Sequence, residues 1–312
     1  MVTEVLLACY NGEKYLPQLL VSLIAQAGAE FRVLMQDDGS QDGTVKLLQR
    51  QAEADGRFIL AQDASPARIH GAIGNFWSLL GQAREDYTAL CDQDDVWNAD
   101  RLRAGLEAMA EAEARWGRET PLMVHSDARV VDADGNTLHE SFFAHQGWDF
   151  RAVTLPQLLV QNNVTGCTVL INRPLRELAL RCGNPADMYM HDWFLALTAA
   201  AFGHVVCLPR PLVDYRQHGN NEMGASAAGL AERGVRALSA RERGKARIAL
   251  TYRHTRSFAA AYGPLLPGPA RKIIEDYLAL ERKAKPARVW GILRGGYRMQ
   301  SPVTRAGQIF FC

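Results

Sequence analysis

The stretch Cys91-Asp92-Gln93-Asp94-Asp95-Val96-Trp97 decides how this chain is read. It follows the apolar run Tyr87-Thr88-Ala89-Leu90-Cys91, which predicts a buried strand. Ending such a strand on clustered carboxylates is costly, because like charges repel and desolvate poorly. A divalent cation removes that cost. Carboxylate oxygens suit hard ions such as Mg²⁺ or Mn²⁺, which often bridge a few carboxylates to phosphates. The plainer alternative is an acidic loop in which Asp100 starts the next helix. What surrounds the stretch chooses between the two.

Upstream, Val2 to Cys9 predicts a short strand ending at Tyr10-Asn11-Gly12, followed by a helix from Lys14 to about Ala27 with Leu16, Leu19, Leu20, Leu23 and Ile24 on one face. Phe31 to Gln36 predicts a second strand, and the turn-rich segment Asp37 to Thr44 leads into a helix carrying Val45, Leu47 and Leu48. Phe58 to Ala61 reads as a third strand, His70 to Asn75 as a Gly-containing loop, and Phe76 to Ala83 as a helix. Strands alternating with helices imply a mainly parallel sheet covered on both faces, with ligands beyond the carboxyl ends of the strands. Tyr10-Asn11, Asp37-Asp38 and Asp92-Gln93-Asp94 are three such ends, and they are expected to face one crevice.

Downstream, strands are expected at Met123 to Ser126, Gly166 to Asn172 and Val205 to Leu208, the last ending at Pro209-Arg210-Pro211. Helices are expected over Pro174 to Arg181 and Phe194 to Ala201. From Gly224 the chain is helical and basic, broken at Gly263-Pro264 and Pro267-Gly268-Pro269, so the expected division is 1–223 and 224–312.

The bulk numbers narrow the class. The chain has 312 residues, 48% hydrophobic and 22% charged, enough for a large α/β domain and an appendage. The formal net charge of +1 hides a division: about −11 over residues 1–224 and about +12 over 225–312. A basic tail on an acidic body points to anionic lipid or polyphosphate rather than nucleic acid. The cysteines, Cys9, Cys91, Cys167, Cys182, Cys207 and Cys312, form no C-x-x-C pair and no zinc-like spacing with histidine, and read as reduced thiols of a cytosolic protein. Neither a signal peptide nor a transmembrane run is expected.

A polar turn after the first strand, Asp37-Asp38-Gly39-Ser40 after the second and Asp92-Gln93-Asp94-Asp95 after a later one form a specific order. The combination resembles the family 2 glycosyltransferases, which have the GT-A fold and use nucleotide-diphosphate sugars. Asp92 to Trp97, with His191-Asp192-Trp193 and Tyr215-Arg216-Gln217-His218-Gly219-Asn220-Asn221 downstream, is most similar to the rhamnosyltransferase-type members of bacterial surface polysaccharide synthesis. The resemblance covers roughly residues 3–221, and Ala8-Cys9 departs from it where proline is usual.

What the resemblance implies is an inverting, metal-dependent transferase. Its donor is dTDP-L-rhamnose first and a UDP-hexose second, and its acceptor is a glycan or lipid-linked glycan. Ala8, Tyr10, Asn11 and Glu13 fall in the first nucleotide-contacting turn, with Tyr10 against the base. Asp37 or Asp38 accepts the N3–H of uracil or thymine while the other caps the turn. Arg68 and Asn75 lie where relatives contact base or phosphate, and Gln93 belongs to the donor site. Mn²⁺ or Mg²⁺ is held with Asp94 as first candidate ligand, Asp95 ligating or supporting, and Asp92 contacting ribose or a metal-bound water. His218 is a further ligand or phosphate contact, and Arg216 a phosphate contact. Asp192 is the expected base, taking the acceptor hydroxyl's proton; as a first-turn helix residue it would otherwise be a dipole-favoured cap. Trp193 supplies an apolar wall, or packs in the core. The basic tail either caps the domain or lies on an anionic leaflet, which places the protein in the cytoplasm or on the inner membrane's cytoplasmic face. Rival readings are a nucleotidyltransferase, poorly matched by Ala8 to Lys14, and an inactive relative that binds nucleotide or glycan.

Overall fold

The computed structural model describes residues 2–62, 70–182, 184–218 and 240–312. Strands β1 (Val2–Cys9), β2 (Glu30–Asp37), β3 (Phe58–Leu60) and β4 (Tyr87–Asp92) lie in the order β3-β2-β1-β4, all parallel. The register pairs Cys9 with Asp37 and Ala8 with Asp92, so these three strands end level and release their polar turns along one edge. Beyond β4 the sheet becomes mixed. It continues through β8 (Leu170–Asn172), β6 (Leu122–Val131), β9 (His204–Arg216) and β5 (Val96–Trp97), with β7 (Thr137–His139) paired to β6. The expected α/β sheet flanked by helices is what the chain forms.

Alternation along each strand sorts the core into two layers. Val5, Leu7, Val33, Met35 and Ala89 pack against Leu16, Leu19 and Leu23 of α1 (Leu16–Ile24), Leu48 of α2 (Thr44–Ala54) and Met109 of α4 (Arg101–Trp116). Leu6, Leu34, Leu90 and Ile171 face the other side. They meet Phe76 and Leu79 of α3 (Ala72–Gln82), Leu175 of α7 (Arg173–Cys182) and Phe194 of α8 (His191–Phe202). Two short helices, α5 (Phe142–Gln146) and α6 (Leu155–Leu158), lie between β7 and β8.

Three boundaries differ from the sequence reading. Helix α3 begins at Ala72, one turn early, because Gly71 adopts φ 89° and its N–H donates to Asp38 Oδ2 at 2.6 Å. The strand expected from Gly166 is a 3₁₀ turn over Gly166–Thr168, held by Thr168 Oγ1 donating to Thr165 O at 2.7 Å; only Leu170–Asn172 is extended. Strand β9 does not stop at Pro209. It shifts register between Ser126 and Asp127 of β6, and Leu208 pairs with Ser126 while Pro211 pairs with Asp127. That irregularity takes Pro209 and Arg210 out of the ladder, which tolerates the missing donors.

The last part of the chain forms α9 (Ala240–Tyr262), α10 (Gly268–Leu280), α11 (Lys285–Gly295) and α12 (Pro302–Phe311). Tyr252, Phe258, Tyr262, Ile274, Tyr277 and Leu280 are buried in the same layer as Phe76 and Phe194. Phe194 stands 5.6 Å from Phe258 and 5.7 Å from Tyr262, and Thr198 Oγ1 lies 2.7 Å from the Tyr262 hydroxyl. The expected boundary near Gly224 falls outside the described residues. Among those residues no helix is long and apolar enough to cross a membrane, and Cys9, Cys91, Cys167, Cys207 and Cys312 are free thiols.

Candidate active site

The level strand ends open into one cavity of about 1570 Å³. Ala8, Tyr10, Asp38, Asn75, Asp92, Gln93, Asp94 and Asp192 all line it, so the structure brings most of the expected site residues together.

The acidic end divides into two sets. Asp92, Asp95 and Cys167 place ligand-type atoms within 4.8 Å of one another. Asp94 Oδ2 lies 2.8 Å from His218 Nε2, whose ring stacks on Tyr15 at 4.7 Å. Asp95 is buried: one oxygen accepts the Arg216 backbone N–H at 3.0 Å, and the Cys167 thiol lies against the carboxylate. Burial and the neighbouring Asp94 push its pKa up to about 8. Asp92 and Asp94, the carboxylates of this end that face the cavity, fit a hard divalent cation, with Asp95 buried behind them. The Cys167 thiol, its pKa driven upward by burial, is a poor ligand for such an ion. Beneath the cluster Arg101 is buried with its guanidinium 3.4 Å from the Trp97 ring, donating to Leu90 O and Cys167 O. Sequence reading missed this buried cation; the Trp97–Arg101 spacing was its only signal.

At the β2 end the two aspartates part company. Asp37 accepts from the backbone of Gly39 and Ser40 at 2.8 Å each and caps the turn, away from the cavity. Asp38 faces the cavity, its carboxylate fixed by Gly71 N–H and by His70 Nδ1 at 2.9 Å. Asn75 is buried with Nδ2 directed at Cys9 O and Gln36 O, leaving Oδ1 without a partner.

Asp192 occupies the first turn of α8 after Met190, the residue that precedes the helix. Its carboxylate accepts from the backbone of Trp193 and Gly166 and from the Asn162 side chain. Burial outweighs these donors and pushes its pKa up to about 7, despite the helix dipole. His191 beside it stacks on Phe76 at 4.3 Å, and burial lowers its pKa to about 4, so the ring is neutral. Trp193 donates from Nε1 to Leu158 O at 2.6 Å and packs at 4.5 Å from His254 of α9, a core role with one edge on the cavity.

Several of the expected site residues brace the turns. Arg216 is 1% exposed, and its guanidinium donates to Asp94 O, Asp132 O, Ala133 O and Gln18 Oε1. It lies outside the cavity lining and braces the acidic loop. Asn11, at φ 49°, accepts from Gln41 N–H, and Glu13 accepts from Gly43 N–H at 2.9 Å; both tie the β1 turn to the β2 turn and lie outside the cavity lining. Gln93 reaches the cavity but is committed at both ends, accepting from Tyr10 N–H at 2.7 Å and donating to Tyr10 O at 2.6 Å. Tyr10 is left 54% exposed at the rim. Arg68 lies outside the described residues, as does Gly219-Asn220-Asn221. The wall opposite the strand ends was not foreseen. Arg243, Arg247, Arg253 and Arg256 of α9 line the cavity, as do Asn162 and Gly166.

This fold is that of the GT-A glycosyltransferases. The structure superposes on TarS of S. aureus in complex with UDP-GlcNAc with TM-score 0.59, at 17% identity, covering 100% of this chain and 89% of that one. It also superposes on a mannosyltransferase of Pyrobaculum calidifontis in complex with GDP-Man and Mn²⁺, with TM-score 0.52, at 18% identity, covering 99% and 87%. Residues 4–116 match the family model "Glycosyl transferase family 2", so this part of the chain is a family 2 glycosyltransferase domain. Among curated relatives, the dTDP-rhamnosyl transferase RfbG of Shigella flexneri is 26% identical over 232 residues, 70% of this chain and 74% of that protein. An uncharacterized protein of Mycobacterium tuberculosis is 30% identical over 214 residues, and the chain spans only 57% of its length.

Proposed function

We propose that this glycosyltransferase moves a sugar from a nucleoside-diphosphate sugar to a hydroxyl of a glycan acceptor, with inversion, in polysaccharide synthesis. One observation carries the reading: Asp192, a buried carboxylate with its pKa near 7, opens into the same cavity as the acidic strand ends. A carboxylate poised there accepts the acceptor's proton at neutral pH while keeping driving force for the transfer. The acceptor oxygen bonds to the anomeric carbon as the bond to the diphosphate breaks, and a single base suffices.

Asp38 and Asn75 supply acceptor oxygens for the base, and Asp38 suits the N3–H shared by uracil and thymine. Asp92 and Asp94, which face the cavity, would hold a divalent cation together with His218, while Asp95 supports them from behind. Such an ion, when bound, neutralises charge on the departing diphosphate. The mannosyltransferase complex with Mn²⁺ supports metal use. The likeness to a dTDP-rhamnosyl transferase makes dTDP-L-rhamnose the first donor to test, ahead of UDP-hexoses.

The test is a thermal-shift panel with dTDP, UDP, GDP and ADP, each with and without Mn²⁺. Metal-dependent stabilisation by dTDP or UDP, lost in Asp94→Ala, is expected, since a ligand bound only to the folded state raises its melting point. No shift with any nucleotide would favour an inactive glycan-binding relative.

A further inference from the structure

We infer that a pyranose ring of the acceptor binds on a shelf of Trp148, Phe142 and Tyr215, with the Gln146 amide at its edge. The inference rests on the transferase reading, because it uses Asp192 to locate the acceptor.

Helix α5 has only five residues, and it is fixed at both ends. Asp127, itself buried, accepts from Ser141 Oγ and from the backbone N–H groups of Phe142 and Phe143. Gly147 then takes φ 64°, a left-handed conformation that favours glycine, and the chain doubles back so that Trp148 N–H donates to Phe143 O at 2.8 Å. Phe143 points into the core, whereas Phe142 and Trp148 stay half-buried and line the cavity. Their rings meet edge to face at 5.3 Å, and Phe142 lies 5.5 Å from Tyr215, which lines the same cavity. Three aromatic rings thus face a polar space, where apolar area in water is unfavourable until something covers it.

The neighbouring polar groups identify what covers it. A pyranose presents C–H bonds on one face, which suit the electron-rich face of an aromatic ring, and hydroxyls around its edge. Neither the Trp148 indole N–H nor the Gln146 side-chain amide has a hydrogen-bond partner among the described residues, and both residues line the cavity. The indole supplies a donor and the amide supplies donors and an acceptor, the mixture that sugar hydroxyls pair with. Position assigns the ring to the acceptor. Asn163 Nδ2 donates to Asp149 O at 3.2 Å, beside Trp148, and the adjacent Asn162 holds the Asp192 carboxylate. Asp149 N–H donates in turn to Gln300 Oε1 at 2.9 Å, between α11 and α12. On the opposite side, Tyr215 precedes Arg216, the brace of Asp94. The shelf is therefore tied to the base at one end and to the acidic loop at the other, where an attacking hydroxyl must arrive.

The experiment is saturation-transfer NMR on the full chain, loaded with Mg²⁺ and whichever of dTDP and UDP stabilises it. The probes are the methyl pyranosides of rhamnose, glucose, galactose, mannose and N-acetylglucosamine. At least one should bind, with transfer concentrated on one face of its ring. Trp148→Ala should weaken that binding about tenfold while nucleotide affinity stays within about twofold of the parent. Trp148→Phe, which keeps an apolar face but loses the indole N–H, should fall between. Gln146→Ala, at an exposed position, should weaken the pyranoside alone, and it reads the shelf even where Trp148→Ala disturbs the fold. No bound pyranoside, or binding unchanged in Trp148→Ala and Gln146→Ala, would overturn the inference. So would displacement of the pyranoside by dTDP-glucose or UDP-glucose but not by the bare nucleoside diphosphate, because that gives the shelf to the donor's sugar. Failure of the parent to bind either nucleotide would instead sink the transferase reading, and titration of the pyranosides without nucleotide would still read the shelf.

Discussion

At the scale of single residues, Asp192 shows a site working against stability. Its folded pKa, about 7, stands above the ordinary 3.8, because burial disfavours the charged form. The folded state therefore holds the proton more tightly than the unfolded chain. This contribution to stability is complete below about pH 4 and is lost as pH rises through 7. Asp192→Asn should accordingly raise the melting temperature at pH 8, with at most ~4 kcal/mol at stake, while cutting turnover by about 10²–10⁴. Parent activity should climb through pH 7. A variant both inactive and less stable would mark Asp192 as a structural cap. The sequence placed Asp192 at the start of a helix, but its environment was illegible, because Gly166 and Asn162 come from a distant loop and the burying wall from Phe76 and α9. The partners of Arg216 were illegible for the same reason: the carbonyls of Asp132 and Ala133 that it donates to lie on a turn more than eighty residues upstream.

At the scale of elements, legibility followed locality. The parallel register that levels β1, β2 and β4 came from short apolar runs ending in polar turns, which sequence displays openly. Strand β9 was truncated in the reading because Pro209-Arg210-Pro211 signals a stop, and only its partner β6 supplies the register shift that lets it continue. The joint between α8 and β9 is a single residue, Gly203. A Cβ there would lie 1.9 Å from Pro121 O, a backbone atom that cannot swing aside. Gly203→Ala should cost about 3 kcal/mol or more in urea unfolding. A loss under about 1 kcal/mol would show that the joint yields.

At the scale of the whole molecule, the C-terminal helices complete the core as well as the cavity. Phe258 is fully buried between Phe194 and Tyr262. Phe258→Ala should cost about 3–5 kcal/mol and lower activity, since α9 also supports Trp193 through His254. We expect calorimetry to record one cooperative transition; two well-separated ones would make the helices an independent unit. The division expected at 223/224 was read from charge, and composition does not reveal which helix face finds a partner. The α8–Gly203–β9 joint has a wider consequence. Asp192 lies in the first turn of this run and Arg216, the brace of Asp94, ends it, so the proposed base and the acidic loop are spaced by one helix and one strand rather than by loops. A substitution in the surrounding turns can therefore reshape the cavity rim without altering the span between these two ends.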